Sequence, residues 1–191
     1  GNVVRNLVAL GASVEFVSLV GDDDIAEDVE LLLRDLVGVS HTLIVESHRP
    51  TTIKVRYVAG GQQLLRADRE TTAPVAESIA DKMVAAVENA LQDAALLIVS
   101  DYAKGVVTDY LANRVIKIAK KTGKPVIVDP KTHDFTRYAG ATLITPNLKE
   151  LTEAAGGQLA TDDDIVFAAR ELLSNAEIGE MLVTRGAQGM S

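Results

Sequence analysis

Short, largely apolar runs alternate along this chain with amphipathic segments, and this pattern strongly limits the possible folds. The runs occupy residues 14–20, 95–99, 125–128, 141–145 and 181–183. The later runs lack the polar alternation of a strand that has one face in solvent, so we expect strands buried on both faces. Apolar residues recur at helical spacing over 25–36, 75–91, 111–118 and 165–173. The alternation predicts an α/β fold with a mainly parallel sheet between helices.

Composition excludes several classes of function. The 191 residues carry a net charge of −8 and no basic run, so binding to nucleic acid or to an anionic membrane is not expected. Cysteine is absent and the three histidines are scattered, which argues against disulfides, thiolate chemistry and a zinc site. No apolar run approaches the roughly 20 residues of a membrane helix, and no leader opens the chain. We therefore expect a cytoplasmic protein.

Polar residues follow the predicted strands where each strand ends. Asp101, Asp129, Asn147 and Thr184 all come directly or closely after an apolar run. In parallel α/β sheets, ligands bind beyond the carboxyl ends of the strands. One edge of the sheet is therefore predicted to gather carboxylates, an amide and a hydroxyl around a single cleft. The loop after Asp101 contains Lys104, which could pair with an anionic group of a substrate. The alternative is that Lys104 is an ordinary loop residue in solvent.

The loop after the last run reads Thr-Arg-Gly-Ala-Gln-Gly over residues 184–189. Backbone amides in such a loop can bind phosphate oxygens, and Thr184 can add a hydroxyl donor. An ordinary turn is the alternative. The loop is neither a Walker loop nor a dinucleotide fingerprint.

Asn147 and Glu150 stand three residues apart at the start of a predicted helix. The spacing alone favours a capping box, in which each side chain bonds the other residue's backbone N–H. The functional alternative is a magnesium and phosphate site at the positive end of the helix. Asp129 and Lys131 have a similar pair of interpretations, a metal and phosphate site or a solvated turn. The aspartate triplets at 22–24 and 162–164 are predicted to cap helices.

Residues 42–70 differ from the rest of the chain. Residues 51–58 and 62–68 flank Gly60-Gly61 and predict a hairpin rich in polar groups. We interpret it as a small sheet that could act as a lid over a site. The alternative is an antiparallel edge of the main sheet.

Together these motifs resemble the ribokinase-like (PfkB) carbohydrate kinases over almost the whole chain. The matching features are Asn2 with Gly11 and Gly21, the Gly-Asp-Asp turn at 21–23, the Asn-x-x-Glu motif at 147–150, the loop at 184–189 and the hairpin. Longer runs at 62–68, 100–106, 128–135 and 137–148 are similar to the D-glycero-β-D-manno-heptose-7-phosphate kinases. Val4 and Ala26 are minor departures from the family pattern.

The resemblance implies transfer of the ATP γ-phosphate to the anomeric hydroxyl of D-glycero-D-manno-heptose 7-phosphate, with Mg²⁺, in the synthesis of ADP-heptose for lipopolysaccharide cores. It assigns Asn2, Gln63, Arg66 and Lys104 to the sugar phosphate. It assigns Asn147, Thr184, Arg185, Gly186 and Gly189 to the nucleotide, and Asp129 and Glu150 to the metal. It also implies, in many relatives, a fused nucleotidyltransferase domain. A lid sheet with an apolar face would be covered by a partner, so we expect a homodimer.

One departure concerns the chemistry itself. The family's Gly-Ala-Gly-Asp turn, which supplies the aspartate base, has no counterpart in these 191 residues. The chain also opens without methionine and lacks the family's N-terminal strand. We therefore expect a partial kinase domain, inactive alone, whose catalytic base lies outside it. The alternatives are a kinase for another sugar phosphate and a nucleotide-binding regulatory module. A dehydrogenase is disfavoured.

Overall fold

The computed structural model describes residues 1–191 and contains six α-helices and eight β-strands. The helices are α1 (Asn2–Ala9), α2 (Asp24–Arg34), α3 (Glu77–Ala90), α4 (Asp109–Lys121), α5 (Leu148–Ala155) and α6 (Asp162–Ala176). The strands are β1 (Val14–Val20), β2 (Val39–Val45), β3 (Ile53–Ala59), β4 (Gln62–Arg69), β5 (Leu97–Ser100), β6 (Val126–Asp129), β7 (Leu143–Ile144) and β8 (Glu180–Met181). Two compact units divide the chain, unit 1 over residues 1–86 and unit 2 over residues 87–191.

Unit 1 contains a two-stranded parallel sheet. β1 pairs with β2 in parallel, with Val14 opposite Val39 and Val20 opposite Val45, and α2 connects the strands. The predicted strand over 14–20 is confirmed. The predicted helix after it is confirmed as well, but it ends at Arg34 rather than Leu36.

The turn after β1 is anchored by Asp23 and Thr51. Asp23 is the N-cap of α2, where Oδ1 accepts the Ala26 N–H at 3.2 Å and Oδ2 accepts the Thr51 N–H at 2.9 Å. A Cβ on Gly21 would lie 2.3 Å from the Arg49 carbonyl oxygen, so only glycine fits at this approach. The aspartate triplet here caps a helix, as the sequence predicted.

The hairpin β3–β4 forms its own antiparallel sheet and pairs with no other strand. This confirms the separate small sheet and rejects the edge-strand alternative. Residues 42–45 belong to β2, so the hairpin starts later than the stretch of 42–70 suggested. Because side chains alternate across a strand, the register places Val55, Tyr57 and Leu65 on one face and the charged residues 54, 66 and 68 on the other.

Unit 2 contains a four-stranded parallel sheet in the order β5-β6-β7-β8. Val128 in β6 and Ile144 in β7 are register partners on neighbouring strands, and both are fully buried. This burial explains the absence of polar alternation in the sequence. A second apolar cluster joins β8 to helices α5 and α6. Its buried members are Leu151, Ile165 and Val183, with Leu148, Leu159, Leu172 and Met181 around them. Full burial of a Leu or Val side chain contributes about 2 kcal/mol.

None of the helices combines the length and the hydropathy that crossing a membrane requires.

Candidate active site

The carboxyl ends of the four parallel strands in unit 2 meet at one edge of the sheet. Asp101 follows β5, and its N–H donates to the Asp129 carbonyl at the end of β6 at 3.0 Å. Asn147 pairs with Thr184 in a parallel bridge that extends β7 and β8. The Thr184 N–H donates to the Pro146 carbonyl at 2.9 Å, and the Leu148 N–H donates to the Thr184 carbonyl at 2.9 Å. The structure therefore brings Asn147 and Thr184 into contact at this edge.

Helix α5 begins at this edge with a complete capping box. Asn147 Oδ1 accepts the Glu150 N–H at 2.9 Å, and Glu150 Oε2 accepts the Asn147 N–H at 2.9 Å. The predicted capping interaction is confirmed. It uses one oxygen of Glu150 and leaves the other for a further contact.

That other oxygen receives Lys131. Lys131 Nζ lies 2.6 Å from Glu150 Oε1, and the Glu150 side chain is 9% exposed while that of Lys131 is 53% exposed. Its hydrogen bond to the Glu150 carboxylate raises the pKa of Lys131, so the amine stays charged. A buried carboxylate and a half-exposed ammonium thus stand at the N-terminus of α5.

The carboxylates of Asp129 and Glu150 interact electrostatically. Burial raises the pKa of the Asp129 carboxyl, and the negative charge of Glu150 raises it further, whereas the Lys131 ammonium acts in the opposite direction. Repulsion between two carboxylates favours binding of a cation between or beside them. The sheet edge therefore carries negative charge that a metal ion would neutralise.

These side chains fit a magnesium ion of the type that keeps most of its water. Mg²⁺ in phosphate-transfer sites is held by one or two carboxylates together with substrate phosphates and waters. Asp129 and Glu150 supply two carboxylates, and no cluster of three or more Asp, Glu or His side chains that could hold a metal by itself is present. The donor set suits a metal that arrives with a phosphate ligand.

The loop at 184–189 is closed at its base. Val183 and Ser191 exchange backbone hydrogen bonds at 2.7 and 3.0 Å, and the Arg185 N–H donates to the Gly189 carbonyl at 2.8 Å. Gly186 and Gly189 have positive φ angles of 60° and 85°, which explains the glycines at both positions. Thr184 is exposed, so its hydroxyl is accessible to a ligand at the sheet edge.

Arg185 also holds the loop against helix α6. Its Nη2 lies 2.6 Å from Asp162 Oδ1, and Nη1 donates to Ser191 Oγ at 3.0 Å. Asp162 belongs to the second aspartate triplet, whose Asp164 forms a capping box with Thr161. The capping prediction for this triplet is confirmed, and the pairing of Asp162 with Arg185 is an addition that the sequence did not indicate.

Lys104 lies in the loop after β5, half-buried, between Ala103 and Gly105, which both have positive φ angles. β5 is two strands away from β7, which corresponds to about 10 Å at the usual strand spacing.

The remaining predicted site residues belong to unit 1. Asn2 is the first residue of α1 and is exposed. Gln63 and Arg66 are exposed on β4, and Arg66 Nε lies 2.8 Å from Asp68 Oδ1. Lys54 bonds the same aspartate at 2.9 Å, so Arg66 belongs to a charged network on one face of the hairpin.

Asp101 was expected at this edge, but the sequence assigned no role to Arg137 and Tyr138, which the structure links to it in unit 2. Asp101 is 3% exposed and accepts the Tyr138 hydroxyl at 2.7 Å, and Arg137 Nη1 lies 3.6 Å from the same carboxylate. Asp101 directly follows a buried strand, which was the available signal. Its partners lie more than 35 residues away in sequence, so no local pattern pointed to them.

The comparisons with known proteins agree with this architecture. A model described as the pfkB family carbohydrate kinases matches residues 1–191. The chain is 48% identical over 191 residues to the bifunctional protein HldE of Paramagnetospirillum magneticum and 44% identical to that of Acidiphilium cryptum. Both alignments use 100% of this chain, and the chain spans 39% of the length of each relative.

Solved structures show the same fold at lower identity. Phosphofructokinase-2 from Escherichia coli in complex with potassium matches with a TM-score of 0.75 at 23% identity, over 99% of this chain and 61% of that one. Ribokinase from Giardia lamblia matches with a TM-score of 0.73 at 18% identity, over 94% of this chain and 58% of that one. The predicted ribokinase-like α/β fold is confirmed. With its family model matched from the first residue to the last, the chain belongs to the pfkB family of carbohydrate kinases.

Proposed function

We propose that this chain forms part of a kinase that transfers the γ-phosphate of ATP to the anomeric hydroxyl of D-glycero-D-manno-heptose 7-phosphate. The observation that carries the proposal is the sheet edge of unit 2, where the Asn147–Thr184 bridge lies beside the Glu150–Lys131 ion pair and Asp129. The choice of sugar rests on the identity of 48% to a protein named HldE and on the runs at 62–68, 100–106, 128–135 and 137–148. Such a reaction belongs to the cytoplasm, where ATP is available.

The nucleotide end of the reaction is assigned to α5 and the loop at 184–189. Phosphoryl transfer depends mostly on positioning and on neutralising the charge of the phosphates. Asn147 at the N-terminus of α5 and the Thr184 hydroxyl donate toward phosphate oxygens, and Arg185, Gly186 and Gly189 shape the loop. Lys131 adds a positive charge beside Glu150.

Asp129 and Glu150 would hold the magnesium ion. When bound, Mg²⁺ neutralises phosphate charge and orients the terminal phosphate. Because Glu150 already bonds Asn147 and Lys131, its role is chiefly to fix these two residues relative to the metal. Asp129 is the carboxylate with fewer internal partners and is the better direct ligand.

The sugar phosphate is assigned to Lys104, with Asn2, Gln63 and Arg66 assigned by their position in the motifs. A lysine serves well here because a compact ammonium pairs with a phosphate as a point charge. No catalytic base is assigned within residues 1–191, which contain no Gly-Ala-Gly-Asp run. We therefore expect no turnover from these residues alone.

The partners follow from the hairpin and the relatives. Val55, Tyr57 and Leu65 form an apolar face that is 41–53% exposed. A second copy of the chain covering this face would remove it from water, which favours a homodimer. A fused nucleotidyltransferase domain accords with the share of 39% that the chain covers in its relatives.

A substrate panel on the full-length protein tests the proposal. Heptose 7-phosphate, fructose 6-phosphate and other hexose phosphates are each incubated with ATP and Mg²⁺, and ADP release is followed. Turnover of the heptose phosphate alone is expected. Preference for a hexose phosphate would reassign the sugar, and nucleotide binding without any turnover would support a regulatory module.

A further inference from the structure

A buried hydrogen-bond network links Tyr138 to the loop that carries Lys104. Tyr138 is fully buried at the end of the 3-10 turn Phe135–Tyr138, and its hydroxyl donates to Asp101 Oδ2 at 2.7 Å. The other oxygen, Asp101 Oδ1, accepts the Ala103 N–H at 2.8 Å. One buried carboxylate therefore connects a core tyrosine to the backbone of the loop.

The backbone at this point needs such support. Ala103 has a φ angle of 52°, in the left-handed region that a residue with a side chain rarely occupies, and Gly105 follows with a φ angle of 72°. A strained residue persists where its surroundings hold it, and such residues concentrate at functional sites. The bond from Ala103 to Asp101 holds the residue directly before Lys104.

Arg137, the neighbour of Tyr138, holds the far end of the same loop. Its Nη2 lies 2.8 Å from Asp109 Oδ1, at the first residue of α4, and Nη1 donates to the Val107 carbonyl at 3.4 Å. The two adjacent residues of the 3-10 turn thus fasten both ends of residues 101–109. Lys104 lies in the span between the two attachments.

Building on the proposed function, we propose that Tyr138 and Arg137 are positioning residues for the sugar phosphate, which act through Asp101 and the loop to place Lys104. An ion pair with a substrate phosphate depends on placement, and an error of 1 Å in a catalytic site can cost about a hundredfold in rate. The alternative is that Tyr138 serves only the stability of the core.

The first test is Tyr138→Phe in the full-length protein, which removes the hydroxyl and keeps the ring in its place. The KM for the sugar phosphate is expected to rise about tenfold, as for other residues that act through a neighbour, while the KM for ATP changes less than about twofold. Tyr110→Phe is the matched control, because Tyr110 bonds Arg114 along α4. Both KM values should stay within about twofold of wild type in this control.

Hydrogen exchange provides a readout that needs no substrate. Exchange of the Ala103 amide should become at least about tenfold faster in Tyr138→Phe, while the amides of β6 keep their wild-type rates. Arg137→Gln should instead loosen the loop near residues 107–109. Unchanged exchange at Ala103 in Tyr138→Phe would overturn the network as the support of the loop.

The kinetic comparison uses whichever sugar phosphate the wild-type protein converts, so a wrong choice of heptose does not affect it. Faster exchange with an unchanged KM for that sugar phosphate would overturn the positioning role and leave Tyr138 as a core residue. A parallel rise in the KM for ATP would overturn it too, because the effect would then not be confined to the Lys104 side of the reaction.

Discussion

Helices α5 and α6 begin with the same motif and have different surroundings. Each starts with a capping box, Asn147 with Glu150 in α5 and Thr161 with Asp164 in α6. In both, the N-cap oxygen accepts the backbone N–H three residues on, and the acidic residue accepts the N–H of the cap. The local geometry of the two helix starts is therefore nearly identical.

The surroundings separate them. Glu150 is buried, pairs with Lys131 and raises the pKa of Asp129, whereas Asp164 is half-buried and bonds residues 160 and 161 at the start of its own helix. Thr184 adjoins the first box through the bridge to Asn147. The same sequence spacing therefore gives only a helix cap at α6, whereas at α5 it gives a helix cap that is also part of a charged site.

The largest expected difference between the two boxes comes from removing the acid's charge. Glu150→Gln keeps an oxygen that can accept the Asn147 N–H, so the cap survives while Lys131 loses its anionic partner. In the full-length protein we expect the affinity for Mg²⁺-ATP to fall about tenfold to a hundredfold. Calorimetric titration with a non-hydrolysable ATP analogue and Mg²⁺ measures it.

Asp164→Asn is the matched control for this substitution. It makes the same change of charge in the second box and should leave nucleotide affinity within about twofold of wild type. Equal losses in both variants would show that the capping geometry alone, and not the neighbourhood of Glu150, supports the nucleotide.

A smaller effect is expected from removing the caps themselves. Asn147→Ala and Thr161→Ala each delete the side chain that accepts a backbone N–H, and each should lower the free energy of unfolding by about 1 kcal/mol. Urea denaturation measures this loss. Only Asn147→Ala should also weaken nucleotide binding, and a similar weakening in Thr161→Ala would erase the distinction between the boxes.

Local spacing explains what the sequence predicted about these regions. The Asn147–Glu150 capping box, the caps predicted from the two aspartate triplets and the hairpin each depend on residues close together in the chain. The structure contains all four, although the second triplet acts through Asp164 and the N-cap there is Thr161. The parallel sheet followed from the absence of polar alternation, a consequence of burial on both faces.

Contacts between distant residues were not predicted. Lys131 reaches Glu150 across 19 residues, and Tyr138 reaches Asp101 across 37 residues. Both contacts depend on which strands are neighbours, and an apolar run reveals that it is a strand without revealing its place in the sheet. The chemistry of the edge could therefore be anticipated from its residue types, but the partner of each charge required the structure.

The smallest expected effect is the pH dependence of stability, which has opposite signs for Asp129 and Asp164. Hydrogen bonding with Thr161 lowers the pKa of Asp164 below its ordinary value of 3.8, so its stabilising contribution is present above that pH and is lost as the pH falls through the lowered pKa. Burial and the Glu150 charge raise the pKa of Asp129 above 3.8, so in the folded protein its ionised form is disfavoured. Folding then binds protons at Asp129, and its contribution to stability declines as the pH rises from 3.8 through the raised pKa.

Asp129→Asn and Asp164→Asn should consequently shift the melting temperature in opposite directions. At pH 7 the Asp129 variant should melt about 1–2 °C above wild type, because a repelled charge has been removed, and the Asp164 variant should melt below wild type. Toward pH 3 the difference at Asp129 should shrink, because a carboxyl with a raised pKa is then protonated, whereas the difference at Asp164 should shrink only as the pH falls through its lowered pKa. Thermal denaturation from pH 3 to 7 measures the curves. If Asp129→Asn is more stable than wild type but binds Mg²⁺-ATP more weakly, the charge of Asp129 serves ligand binding and lowers stability. A loss of stability in this variant at pH 7 would mean instead that Asp129 stabilises the fold, as Asp164 does.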